Sequence, residues 1–139
     1  MDKMHFEVNA EISVDEYVEL IKSTSIGERR PLNDLQRMEG MLKNSNLIVT
    51  VRHGKSLVGM ARAITDFFWV AYISDLAVGP NFQRIGLGKK LILKLRNELS
   101  DECKLFLLAA PSAVGYYPHI GFLKEDRGWV LPSGLDISK

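Results

Sequence analysis

Two hydrophobic periods divide this chain, and the change between them is sharpest in residues 72–99. Ala71, Ile73, Leu76 and Val78 mark an apolar strand. Gly79, Pro80 and Asn81 are strong breakers and end it. Leu87, Leu91, Ile92, Leu95 and Leu99 then recur at helical spacing, which predicts a helix opening near Gln83 and Arg84. Residues 105–109 form a second apolar strand, and a strand–helix–strand unit of this kind pairs its strands in parallel.

Upstream, residues 5–9 alternate and predict a short strand. Ser13, with Glu16 three residues later, has the form of a capping box. The helix it opens places Val14, Tyr17, Val18 and Ile21 on one face. Residues 23–30 are polar and read as a loop. A second helix carries Leu32, Leu35, Met38, Met41 and Leu42, beginning either at Pro31 or from an Asn33 cap. Residues 46–52 alternate, His53, Gly54 and Lys55 turn the chain, and residues 57–64 alternate again, which is the pattern of a hairpin. After Asp66, residues 67–78 are apolar on both faces and predict a central strand. Residues 112–120 predict a short helix and residues 121–125 a last strand. Hairpins before residue 78 and a crossover after it make a mixed sheet, so the fold class is α/β. The tail from Trp129 has no readable period.

Bulk properties narrow the function. With 139 residues the chain is expected to be one domain, 1–139, long enough for a real core. Hydrophobic residues make up 46% and charged residues 25%, ordinary for a globular protein. A net charge of +1 gives no electrostatic case for nucleic acid or an anionic membrane. The apolar run at residues 105–111 is too short to span a bilayer, and the first residues carry no apolar signal region. The single cysteine, Cys103, leaves no internal disulfide, and these features together predict a cytoplasmic protein. Three scattered histidines and one cysteine give no metal spacing. Cys103 precedes a buried strand and is not expected to be a nucleophile.

Gly86 and Gly88 fall in one predicted helical turn, where each glycine costs ~1 kcal/mol against alanine. Either the turn is an ordinary tight one, or something must approach its backbone. The first N–H groups of a helix lack partners and sit at the positive end of its dipole, so bare of side chains they cradle a phosphate. Arg84, Lys89 and Lys90 add charge. A dinucleotide fingerprint would need a third glycine, and position 91 is Leu.

Gln83-x-x-Gly86-x-Gly88, after the segment Leu76 to Pro80, resembles the acyl-coenzyme A motif of the GCN5-related N-acetyltransferase (GNAT) family, Arg/Gln-x-x-Gly-x-Gly/Ala. Ala113-x-x-Tyr116-Tyr117-x-x-x-Gly121-Phe122 resembles that family's closing motif, Ala-x-x-Phe-Tyr-x-x-x-Gly-Phe. The resemblance covers most of the chain; it is specific in residues 72–99 and 110–122 and only topological before residue 45. It implies the order β-α-α-β-β-β-α-β-α-β, with a mostly antiparallel sheet splayed at a parallel strand pair and about four helices around it. It implies acetyl-CoA as co-substrate, and the residues themselves give no reason to expect a metal. Backbone amides of Gln83, Arg84, Ile85, Gly86, Leu87, Gly88 and Lys89 would hold the pyrophosphate. Backbone groups of Leu76, Ala77 and Val78 would pair with the pantetheine arm and supply an oxyanion donor. The acceptor would be a small-molecule or peptide amine, and a homodimer is common in the family.

Tyr117 stands where the family places its general acid; the alternative is an aromatic that packs the core with its hydroxyl at the edge. Tyr116 is expected to pack, and Pro118 biases Tyr117 away from helical geometry. Asp75, an acid in an apolar strand, is costly to bury unpaired. It is either the base that deprotonates the amine or a paired residue, with Arg62 on the adjacent strand as one partner. Glu28, Arg29 and Arg30 belong to the loop that borders the acceptor in the family, and are either substrate contacts or solvated. Many members carry Asn where this chain has Ala110, which predicts altered cofactor contacts. The function implied is transfer of acetyl from acetyl-CoA to a primary amine by direct attack in a ternary complex; the alternative is an acyl-CoA-binding sensor or assembly module without catalysis.

Overall fold

The computed structural model describes residues 3–138. Its elements are β1 (Met4–Val8), α1 (Val14–Lys22), α2 (Leu35–Lys43), β2 (Leu47–His53), β3 (Ser56–Thr65), β4 (Val70–Val78), α3 (Leu87–Arg96), β5 (Lys104–Leu107) and α4 (Tyr116–His119). Single 3-10 turns at Ser25–Arg29, Pro80–Phe82 and Pro111–Ala113 lie in the connections. The strands form one sheet in the order β1-β2-β3-β4-β5, antiparallel as far as β4 and parallel between β4 and β5.

The helical period predicted for α3 is its buried face. Leu87, Leu91, Ile92 and Leu95 pack on Leu47, Val49 and Val51 of β2, Ala61 and Ala63 of β3, and Ala71 and Ile73 of β4. The other face of the sheet is covered by α1 and α2, whose Tyr17, Leu20, Ile21 and Met38 meet Ile48, Met60 and Ala77. Each large aliphatic side chain so buried is worth about 1.5–3 kcal/mol. The capping box forms: Ser13 Oγ accepts from the Glu16 backbone N–H, and the Ser13 N–H donates to the Glu16 carboxylate.

Several boundaries differ from the sequence reading. The cap of α2 is Asp34, which accepts from Arg37 N–H at 3.1 Å, rather than Pro31 or Asn33. β4 starts at Val70 rather than 67, because one Asp66 oxygen collects the N–H groups of Phe68, Trp69 and Val70 at 3.0, 2.8 and 3.1 Å and ties that segment into a turn. α3 begins at Leu87, not near Gln83 and Arg84. The last strand at residues 121–125 is absent; no strand follows α4 among the described residues. Gly121, with a φ of +107°, turns the chain at the start of that segment. Phe122 packs on the core beside Tyr117, but Leu123 and Trp129 are 92% and 96% exposed, so no alternating apolar face follows it.

Two irregularities in β4 shape the site. The β3–β4 register slips between Arg62, opposite Asp75, and Ala63, opposite Ile73, so Ser74 is one extra residue on β4. A slip of one residue exchanges the two faces. Ala71 and Ile73 therefore point toward α3, while Asp75 and Ala77 point toward α1 and α2. Pairing between β4 and β5 ends at Ile73 and Leu107. Residues 74–78 continue without a β5 neighbour, and the two strands part.

Candidate active site

Where β4 and β5 part, a cleft of about 710 Å³ opens. One end is the start of α3, the other the turn between α1 and α2. Leu76, Ala77, Val78, Gln83, Arg84, Gly86, Leu87 and Gly88 all line it; Ile85 and Lys89 do not. A smaller hollow of about 480 Å³ beside Asp15, Glu19 and Lys55 contains none of the motif glycines or tyrosines.

Gly86 is the N-cap of α3, in the left-handed region at φ +86°, and no side chain caps the helix. The first N–H groups of α3 therefore face the cleft without intrahelical partners. A Cβ added to Gly86 would meet nothing within 4 Å, so that corner is open. Arg84 also has positive φ, +66°, a conformation that costs a non-glycine residue roughly 1–2 kcal/mol. The preceding turn is fastened by Gln83, whose Nε2 donates to the Val78 carbonyl at 2.9 Å. A strained turn held open before a bare helix end is an anion-binding form.

Tyr117 lines the same cleft, half-buried, with its ring set edge-on to Tyr116 at 5.3 Å and to Phe122 at 5.5 Å. Burial, then the neighbouring Tyr116, pushes its phenol above the ordinary value, so it holds its proton at neutral pH. Tyr117 sits inside α4, against the bias from Pro118. The helix is one turn long, so its first N–H groups need no partner and a proline there removes nothing. Tyr116 packs on Tyr117, as expected, and its hydroxyl reaches α3. A Cβ on Gly88 would lie 2.9 Å from its hydroxyl, which places that oxygen over the first turn of α3. Ala110 lines the cleft with a methyl group and its backbone.

Asp75 is 1% exposed and fully engaged. Its Oδ2 accepts from Arg62 Nε at 2.6 Å and from the Tyr17 hydroxyl at 2.5 Å, and its Oδ1 accepts from Arg30 Nε at 2.7 Å. Burial alone would raise this carboxyl, but the Arg62 guanidinium, the Tyr17 hydroxyl and Arg30 outweigh it and hold the group below the usual carboxylate range. These surroundings are those of the paired residue, with Arg62 as the anticipated partner, and not of a base poised to take a proton. Tyr17 and Arg30 joined it from 58 and 45 residues away, with no local signal.

In the turn between α1 and α2, where substrate contacts were expected, Glu28 and Arg29 are exposed and stand off the cleft, whereas Arg30 is on its wall. Ser23, Thr24 and Ser25 line the same wall, and Ser112 Oγ donates to Ser25 Oγ at 3.1 Å across the opening. Cys103 is 7% exposed and belongs to the core that α3 covers. No group of three metal-ligating side chains occurs among the described residues.

Residues 25–128 match a family model described as an acetyltransferase (GNAT) domain. An uncharacterized N-acetyltransferase, ycf52, of Pyropia yezoensis is 36% identical over 106 residues, covering 72% of this chain and 59% of that protein. The protein of the same name in Gracilaria tenuistipitata var. liui is 31% identical over 129 residues, 87% of this chain and 71% of its own. This chain thus spans three fifths to under three quarters of those relatives' length. Among solved structures, the aminoglycoside N-acetyltransferase AAC(6')-Iy in complex with CoA superposes with a TM-score of 0.73 at 16% identity, covering 97% of each chain, which shows the shared fold. Domain match, relatives and architecture agree: the chain belongs to the GNAT family of N-acetyltransferases.

Proposed function

We propose that this chain moves an acetyl group from acetyl-CoA to a primary amine by direct attack within a ternary complex. One observation carries the reading. The uncapped end of α3 opens onto a cleft that follows the unpaired edge of β4 as far as Tyr117.

The residues fit the donor. Backbone N–H groups at Gly86 to Lys89 offer partners and a positive dipole end to a diphosphate, with Tyr116 adding a hydroxyl there. The edge of β4 beyond Ile73, at residues 76–78, offers strand-edge groups to a peptide-like arm, as an added strand would use them, apart from the Val78 carbonyl that Gln83 occupies. A backbone N–H of this edge is the oxyanion donor in this reading. Bound acetyl-CoA would supply the activated thioester. Tyr117, kept protonated by burial, gives its proton to the departing sulfur. Asp75 holds the bulge instead of serving as base; the amine reaches the cleft neutral or loses its proton to solvent, its nitrogen sheds a second proton as the C–S bond breaks and the amide forms, and that proton restores the Tyr117 phenol through solvent.

The test is an acceptor panel of small amines and amino-terminal peptides with acetyl-CoA, read by free-thiol release and by mass spectrometry of the acetylated product. Thiol release matched to one acetylated amine supports the reading. Tight acetyl-CoA binding with silence across the panel would favour a sensor instead.

A further inference from the structure

The buried charges around Asp75 are more than neutrality requires. Arg62, 3% exposed, already balances the carboxylate through Oδ2, which the Tyr17 hydroxyl shares. Arg62 also reaches Ser74 Oγ and Ser45 Oγ, both at 2.9 Å. Arg30 brings a second positive charge to the same place. Its Nε donates to Asp75 Oδ1 at 2.7 Å, and a terminal nitrogen donates to the Ser74 carbonyl at 2.5 Å.

Ser74 is the extra residue of the β4 bulge, where β4 leaves β5. Arg30 closes the turn Ser25–Arg29, whose first residues line the cleft opposite. Among the described residues, the hydrogen bonds that join this turn to β4 are the two made by Arg30. One planar guanidinium therefore spans the acceptor-side wall and the backbone that faces the donor. We propose that Arg30 is a positioning residue that couples these two walls, so that occupying the β4 edge orders the turn at residues 23–30. The inference rests on acetyl-CoA binding along β4, as proposed above. It assigns Arg30 away from direct substrate contact.

The coupling depends on the fork. Arginine presents donors in a fixed plane, while lysine carries one compact ammonium that cannot span Asp75 Oδ1 and the Ser74 carbonyl in the same geometry. Charge balance alone would be met by either side chain.

Hydrogen exchange measured by mass spectrometry, with and without acetyl-CoA, tests this on the wild type, Arg30→Lys and Arg30→Met. The wild type should show slowed exchange at residues 86–90 and at residues 23–30 on adding acetyl-CoA. Both variants should keep the first response and lose the second. Slowing at 86–90 with no change at 23–30 in the wild type overturns the coupling. Arg30→Lys responding like the wild type overturns the assignment to the fork. No slowing at 86–90 in the wild type removes the acetyl-CoA reading itself, and the coupling with it. If Arg30→Met exchanges fast throughout β2 and β3 without ligand, it has unfolded, and the wild type and Arg30→Lys decide.

Discussion

Replacing Asp75 with Asn separates a structural carboxylate from a catalytic one. Asn keeps the shape but loses the charge, and one of its two positions becomes an NH₂ group. That group must face donors, either Arg30 Nε or the pair formed by Arg62 Nε and the Tyr17 hydroxyl. Arg62, 3% exposed, is left charged and without its counterion. Removing one partner of a buried ion pair costs about 3–5 kcal/mol, against a total of roughly 5–15 kcal/mol for a domain. At several degrees per kcal/mol for a chain of this size, the expected fall in Tm is on the order of 10–20 °C. The assay is thermal and urea unfolding of both proteins. The pH dependence carries the same sign: a carboxyl held low in the folded state stabilises above its unfolded pKa of about 3.9 and loses that contribution as pH falls through the folded value. The gap between wild type and Asp75→Asn should therefore be full at pH 7 and narrow below about pH 4. An Asp75→Asn protein that melts like the wild type yet loses turnover a hundredfold would refute this reasoning and make Asp75 the base.

Two further expectations concern the tyrosines. Tyr117→Phe should lower turnover about 10²–10⁴-fold, the range of general acid catalysis, with acetyl-CoA affinity little changed; unaltered turnover removes Tyr117 from the chemistry. Tyr116→Phe should weaken CoA binding roughly 10- to 100-fold, the worth of one hydrogen bond to a charged group, while leaving the unfolding curve near that of the wild type; equal affinity would mean that the hydroxyl over Gly88 only fills space.

Much of this was legible in local pattern. The α3 face and the glycine pair announced themselves because helical period and turn chemistry are short-range. The bulge was also written in the chain, in a form easily passed over. Apolar positions run 71 and 73, then 76 and 78, and that break in a period of two is the register slip at Ser74. A single acid inside the strand pointed correctly to a costly burial, and Arg62 was within reach across a hairpin. Tyr17 and Arg30 were not, since nothing local ties α1 or its following turn to Asp75. The hydroxyl of Tyr116 met Gly88 only through the way α4 docks. The last strand failed for the opposite reason: residues 121–125 have a short strand-like pattern, but Phe122 is tied back to Tyr117, the remaining side chains are exposed, and no strand pairs with them among the described residues.

The most direct test is calorimetric titration of acetyl-CoA, ATP and NAD into the wild type and Gly86→Val. Valine is strained at φ +86° and puts its side chain into the open corner before α3. The account predicts that the wild type binds acetyl-CoA in preference to the two nucleotides and that Gly86→Val loses at least a hundredfold in affinity while remaining folded. A Gly86→Val protein that binds acetyl-CoA as tightly as the wild type would contradict it.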